Sequence, residues 1–256
     1  MLRSRIIPCL LIHNGGLVKT VQFSRPKYVG DPINAVKIFN EKEVDELILV
    51  DIDATVKKVE PNYELIKKIA AECRMPLCYG GGIKTAEQVE RIISLGVEKV
   101  AIGSALIDDP KIIIEARSRV GSQSIVAVLD VFKTEDSSGY EIYTHNATRR
   151  TGFNPVDFSR ELEGFGVGEI LLNSINQDGL MAGYDLELVD LVRDAVSLPL
   201  SILGGAGTFV DIKTLIDRHG VIGAVAGSIF VFKGKFRAVL IQYPNNADKI
   251  NLTNPF

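Results

Sequence analysis

The sequence contains no tryptophan, and only three cysteines, three histidines and three methionines in 256 residues. Cys9, Cys73 and Cys78 are too few for a disulfide framework, and their spacing matches no zinc site. They read as small buried apolar side chains of a reducing compartment. His13, His145 and His219 lie far apart and in different turns, so no metal site is indicated. Nothing suggests a nicotinamide or flavin cofactor. No sign of charge dominates: the net value is −3 with both signs interspersed, which offers no basic field to nucleic acid or an anionic membrane. Long hydrophobic runs are missing too. The N-terminal run, Ile6 to Ile12, is too short to span a membrane, and no small-residue cleavage site follows it. The expectation is a cytoplasmic protein.

What is present is rhythm. Short apolar runs recur about every 30 residues: "RIIPCLLI", "ELILVDI", "PLCYGGG", "KVAIGSA", "SIVAVLDV", "EILLNSI", "PLSILGG" and "GAVAGS". They are nearly continuously apolar, as strands buried on both faces should be. Amphipathic segments separate them, such as "PINAVKIFNEKEV" with Ile33, Val36, Ile38 and Phe39 on one broad face. Eight such alternations in one domain of 256 residues predict an α/β fold, a (β/α)8 TIM barrel. A doubly wound open sheet would favour a G-x-G-x-x-G turn after the first strand, and none stands there. The polar tail from about residue 244, "PNNADKINLTNPF", reads as a frayed end.

The two halves resemble each other. "IIPCLLIHN" aligns with "IVAVLDVFK", "ELILVDIDA" with "EILLNSINQ", "LCYGGGIKTAEQVERI" with "SILGGAGTFVDIKTLI", and "KVAIGSALI" with "GAVAGSIFV". Four matches in one order indicate a twofold half-barrel repeat. Leu11 and Asp130 are thereby counterparts. Backbone N–H groups converging at glycine turns and helix starts bind phosphate, and two paired turns offer this. Gly80-Gly81-Gly82 stands with Gly103-Ser104, and Gly204-Gly205-Ala206-Gly207 with Gly227-Ser228. Two cradles across one barrel mouth suit an elongated phosphorylated small molecule.

"YGGGIKT", "VEKVAIGSA", "GEILLNSINQDG" and "GGAG", with the runs between Arg5 and Phe232, resemble the cyclase subunit of imidazole glycerol phosphate synthase. The resemblance implies a barrel with a glutaminase partner at its N-terminal face. Ammonia released there travels through the barrel to a bisphosphorylated ribulosyl aminoimidazole-carboxamide ribonucleotide. The products are imidazole glycerol phosphate and an aminoimidazole ribonucleotide. It also implies substrate-binding roles for Gly81, Gly82, Ser104, Asp178, Gly179, Gly204, Gly205, Gly227 and Ser228, with Gly103 beside them where the family usually has asparagine.

Ring closure needs a proton removed and a proton given, work suited to paired carboxylates. By resemblance Asp130 is one of the family's two catalytic aspartates, and Leu11 stands where the other belongs. Lys19, Asp51 and His13 are the nearby polar groups available as auxiliaries. Asn173 replaces a threonine and Asn176 an aspartate, so the mouth is remodelled. Arg149 and Arg150, in a long loop or hairpin after the fifth strand, are available to a phosphate. The opposite end is unchanged: Arg5, Glu46, Lys99 and Glu169 ring the N-terminal opening, where the resemblance makes them an ammonia gate.

Three readings follow. One is a barrel passing ammonia to a different acceptor, resembling the branch that accompanies sugar amidotransferases on surface-polysaccharide (lipopolysaccharide) sugars. The others are a working cyclase of histidine biosynthesis and a scaffold that only activates the glutaminase. The related aminoimidazole-carboxamide ribotide isomerase also needs a carboxylate at the first strand, so Leu11 counts against it.

Overall fold

The computed structural model describes residues 3–135 and 139–253. Eight parallel strands follow one another around a closed ring: Arg5–His13, Leu47–Asp51, Leu77–Gly80, Lys99–Ile102, Ile125–Lys133, Glu169–Ser174, Leu200–Leu203 and Gly223–Ala226. Each pairs with its neighbour in sequence order, and the eighth pairs with the first. Helical segments cross between them, so the fold is the expected (β/α)8 barrel. Continuous apolar runs form these strands because both faces are covered. Outward side chains such as Ile6, Leu10 and Leu49 meet the helices in one large core. Inward ones, Ile7, Cys9, Ile48, Cys78, Ala101, Val126, Leu171 and Val225, fill the barrel's axis.

The half-barrel repeat is visible in backbone detail. Helices Ala86–Ser94 and Phe209–His219 both open with a capping box, on Thr85 and Thr208. Before them Gly81 (φ +119°) and Gly82 (+73°) match Gly204 (+99°) and Gly205 (+109°). The equivalence therefore sits one residue away from the string match above, with Gly81 opposite Gly204 rather than Gly205. Glycine is required at these places. A Cβ on Gly81 would come within 2.3 Å of the Asp51 carbonyl oxygen, and one on Gly205 within 2.0 Å of that of Gly183.

Hairpins rise above the mouth after the first and fifth strands, again as counterparts. The first turns on Asn14-Gly15, both at positive φ, the two-residue turn that asparagine–glycine favours. Strand Gly16–Val21 then pairs with Ser24–Gly30. After the fifth strand, Tyr140–Thr144 folds back onto Asp130–Lys133 and continues to Arg149–Arg150; residues 136–138 of the expected loop lie outside the described residues. The C-terminal tail is not frayed. Residues Asn246–Thr253 form a helix. Lys249 pairs with Asp45 at 3.0 Å, and the Tyr243 hydroxyl donates to the Ile6 carbonyl oxygen at 2.7 Å. Two polar anchors and the Tyr243 ring against Phe230 hold a segment whose polar composition hides its attachment.

Candidate active site

A cavity of about 770 Å³ opens at the C-terminal ends of the strands. Its floor is apolar, made by Leu11, Val50, Val128 and Leu203 on top of the axial core. Asp130 stands at its wall, with Asn173 donating from Nδ2 to Asp130 Oδ1 at 2.8 Å. Burial pushes this carboxyl up to about 6, against the Asn173 hydrogen bond, and Asp178 nearby adds to the rise. Such a group exchanges a proton near neutral pH. Leu11, its counterpart across the barrel, presents only an aliphatic surface to the same cavity.

Both glycine pairs form in space. Gly81, Gly82, Gly103 and Ser104 border the large cavity. Gly179, Gly204, Gly205, Gly227 and Ser228 border a separate small recess together with Asp178 and Lys19. The recess is small because Lys19 reaches into it: a Cβ on Gly227 would lie 2.3 Å from Lys19 Nζ. Lys19, offered by the sequence as an auxiliary group, lines the large cavity with Leu11 and Asp130 and also borders the recess beside Gly227. Asp178 lines both the recess and the large cavity and also has a structural task. Its Oδ2 accepts from the Thr20 hydroxyl at 2.7 Å and the Phe23 amide at 3.2 Å, which fastens the first hairpin over the recess.

Other expected groups are spent elsewhere. His13 is not part of the cavity wall; its Nδ1 lies 2.7 Å from Asp53 Oδ1 because the Asn14-Gly15 turn carries the ring outward. Asp51 does line the cavity, but its Oδ1 accepts from the Asp53 and Ala54 amides at 2.9 and 3.2 Å. Burial raises its pKa, and those two bonds oppose the rise. Asn176 acts as a staple, not an acceptor for substrate: Oδ1 takes the Lys133 amide at 2.7 Å, and its carbonyl takes Gln22 Nε2 at 3.0 Å. Arg149 pairs with Asp108 at 3.2 Å and Arg150 with Glu141, so the two arginines brace the second hairpin. Among the wall residues that the sequence reading did not offer for the site are His145 and Asn146, at the turn of that hairpin. Their signal was a histidine–asparagine pair between alternating strands.

At the other end the four ring residues meet. Arg5 Nη2 lies 2.6 Å from Glu169 Oε1 and also pairs with Glu46; Lys99 Nζ lies 3.0 Å from Glu46 Oε1 and 2.8 Å from Glu169 Oε2. The Ser201 hydroxyl donates to Glu169 as well. Burial alone would weaken every charge here, yet the pairing outweighs it. Arg5 and Lys99 are held above their usual ranges and Glu169 below its own. The ring is closed by these contacts, so anything passing along the axis requires at least one of them to part.

Among the described residues no helix is long and apolar enough to cross a membrane, and no group of three or more His, Cys, Asp or Glu is placed to hold a metal.

Comparison with known proteins agrees with this geometry. The family described as "Histidine biosynthesis protein" matches residues 5–237. A Vibrio vulnificus protein provisionally named imidazole glycerol phosphate synthase subunit hisF3 is 55% identical over 97% of this chain and 96% of its own. A Leptospira interrogans protein provisionally named subunit HisF is 52% identical over 97% and 98%. The imidazole glycerol phosphate synthase subunit HisF of Natranaerobius thermophilus is 37% identical over 91% and 92%. With the barrel, the paired cradles and Asp130 in place, the chain belongs to the histidine-biosynthesis family as a HisF-like imidazole glycerol phosphate synthase subunit.

Proposed function

We infer that this barrel takes ammonia from a glutaminase subunit docked beneath the charged ring and delivers it at the mouth to an acceptor other than the one cyclised in histidine biosynthesis. The acceptor that fits this reading is a surface-polysaccharide sugar, amidated together with a separate amidotransferase in the cytoplasm. One contrast carries the inference: the ring of Arg5, Glu46, Lys99 and Glu169 is complete, whereas Leu11 faces the cavity where the second proton-transfer group belongs. The axis is packed with apolar side chains that must shift to let a molecule pass, and such a lining favours neutral ammonia over the ammonium ion, because a charge is costly to strip of water. Asp130, titrating at about 6, is positioned to accept the proton that an attacking amine loses. Gly81, Gly82, Gly103 and Ser104 at one side, with Gly204, Gly205, Gly227, Ser228 and Lys19 at the other, would hold the ligand's phosphates.

The intact cradles and the tuned Asp130 favour a second reading, an active cyclase working with one carboxylate. Co-purification with the cognate glutaminase, followed by assay on the bisphosphorylated ribonucleotide, separates them. The expected result is glutaminase stimulation with little cyclization, and a gain of about 10²-fold or more on Leu11→Asp. Full cyclization by the unmodified chain, abolished by Asp130→Asn, would establish the second reading instead. Glutaminase stimulation that survives Arg5→Ala and Lys99→Ala, with no acceptor ever aminated, would leave only the scaffold.

A further inference from the structure

The turn that carries His145 is built at a cost. His145, Asn146 and Ala147 all have left-handed backbones, with φ of 56°, 55° and 62°. Such residues come singly as a rule, and alanine pays the steric penalty in full. Local bonds hold them there. The His145 carbonyl oxygen accepts from the Thr148 amide at 3.3 Å and from the Thr148 hydroxyl at 2.6 Å. Two longer ties fix where the turn sits. Asn146 Nδ2 donates to the Ile52 carbonyl oxygen at 2.9 Å, just past the second strand, and Arg149 reaches Asp108 at 3.2 Å on the short helix after Gly103. Gly81 packs against Asp51, the neighbour of Ile52. The turn therefore spans the first cradle from one rim to the other, and both His145 and Asn146 belong to the cavity wall.

The ring itself is half engaged. Nδ1 lies 3.0 Å from the Thr144 hydroxyl, and Nε2 has no hydrogen-bond partner among the described residues. We propose that His145 is a ligand-contacting residue of the first cradle, its Nε2–H donating to the phosphate group held by Gly81, Gly82, Gly103 and Ser104. The bond with Thr144 fixes the ring, so that one nitrogen is committed to the protein and the other to the ligand. An imidazolium adds a charge to the backbone amides, which can supply only dipoles. The charged side chains that share this end of the cavity are Asp51, Lys58, Lys84, Glu87, Asp108, Asp109, Lys111 and Glu115, with Arg149 on the hairpin itself. Asp108 is already neutralised by Arg149, which leaves His145 free to answer the ligand's charge.

The proposal rests on reading Gly81–Gly82 with Gly103–Ser104 as a phosphate cradle, and the test separates the two. Inorganic phosphate is titrated into the full chain at pH 6 and pH 8 while the imidazole nitrogens are followed by NMR. His145→Asn, which tolerates the left-handed backbone, is compared by calorimetry. The expected result is a phosphate-induced shift of the His145 Nε2 signal. The variant should bind phosphate about tenfold more weakly at pH 6, with a gap of about twofold or less at pH 8. Phosphate's own ionisation changes over this range, but equally for both proteins. Backbone shifts at Gly82 and Gly103 with an unmoved His145 signal and an unaffected variant would overturn the histidine's role and leave the cradle standing. No phosphate-dependent shift at Gly82 or Gly103 would overturn both.

Discussion

Replacing Asp130 by asparagine should stabilise the protein, and only at pH values where the aspartate would be charged. The carboxyl has its pKa raised from 3.8 to about 6, chiefly by burial. Its folded value thus exceeds its unfolded one, so between these two pH values the native state holds the proton more tightly. Stability is lost as pH rises through that window, and above about 6 the penalty is complete. About two pKa units correspond to roughly 3 kcal/mol. Asparagine carries no charge to bury and keeps an oxygen for the Asn173 amide, so Asp130→Asn should recover most of that amount near pH 8 and almost none near pH 4. Thermal or urea unfolding of both proteins at the two pH values reads the difference directly. For a chain of this size the gain should raise the melting temperature by roughly 6–10 °C at the higher pH. An equal offset at both pH values, or destabilisation at the higher one, would refute the idea that this carboxylate is held in a costly state. The same substitution should remove amine transfer to any acceptor, which would mark the cost as one the activity requires.

Lys99→Met leaves Glu46 and Glu169, 3% and 6% exposed, to share Arg5 alone. Denaturation at neutral pH should show a loss of up to about 3–5 kcal/mol that shrinks on acidification. Gly205→Ala forces a side chain into a +109° backbone and against the Gly183 carbonyl oxygen. Strain alone should cost about 1–3 kcal/mol, and phosphate binding at the recess should weaken in calorimetry. Asp178→Ala removes the acceptor of the Thr20 hydroxyl and the Phe23 amide. Hydrogen exchange at Phe23 should accelerate at least about tenfold, while amides of the fifth-strand hairpin keep their protection.

The barrel was legible because its signal is redundant. Eight apolar runs, each too short for a helix and bounded by polar breaks, say the same thing many times, and the half-barrel repeat says it twice over. The glycine turns were legible for a similar reason: few residues other than glycine tolerate φ near +100° against a neighbouring carbonyl. What the sequence concealed were choices between partners. His13 and His145 both follow strands at hairpins, yet Asp53 claims the first and the cavity receives the second. Asn176 sits where an acceptor was expected and pairs instead with the backbone of Lys133. The C-terminal segment depends on Asp45, through Lys249 of its helix, and on Ile6, through Tyr243 before it, both more than 200 residues away in the chain, and no local pattern announces such contacts.

The repeat also supplies an internal control. Glu46 and Glu169 occupy equivalent places in the two halves, both retained and both paired with Arg5 and Lys99. Leu11 and Asp130 occupy equivalent places at the other end, and only one is a carboxylate. The ring is a costly way to close the barrel, since ion pairs between two buried carboxylates and two half-buried cations often stabilise less than a well-packed apolar plug. Asp130 is likewise costly where it stands. On the proposed reading, these two features are what entry of a small nucleophile and one proton acceptor would require. Leu11 would then leave a two-sided ring closure without its second proton-transfer group, which is why the proposed reading looks to another acceptor.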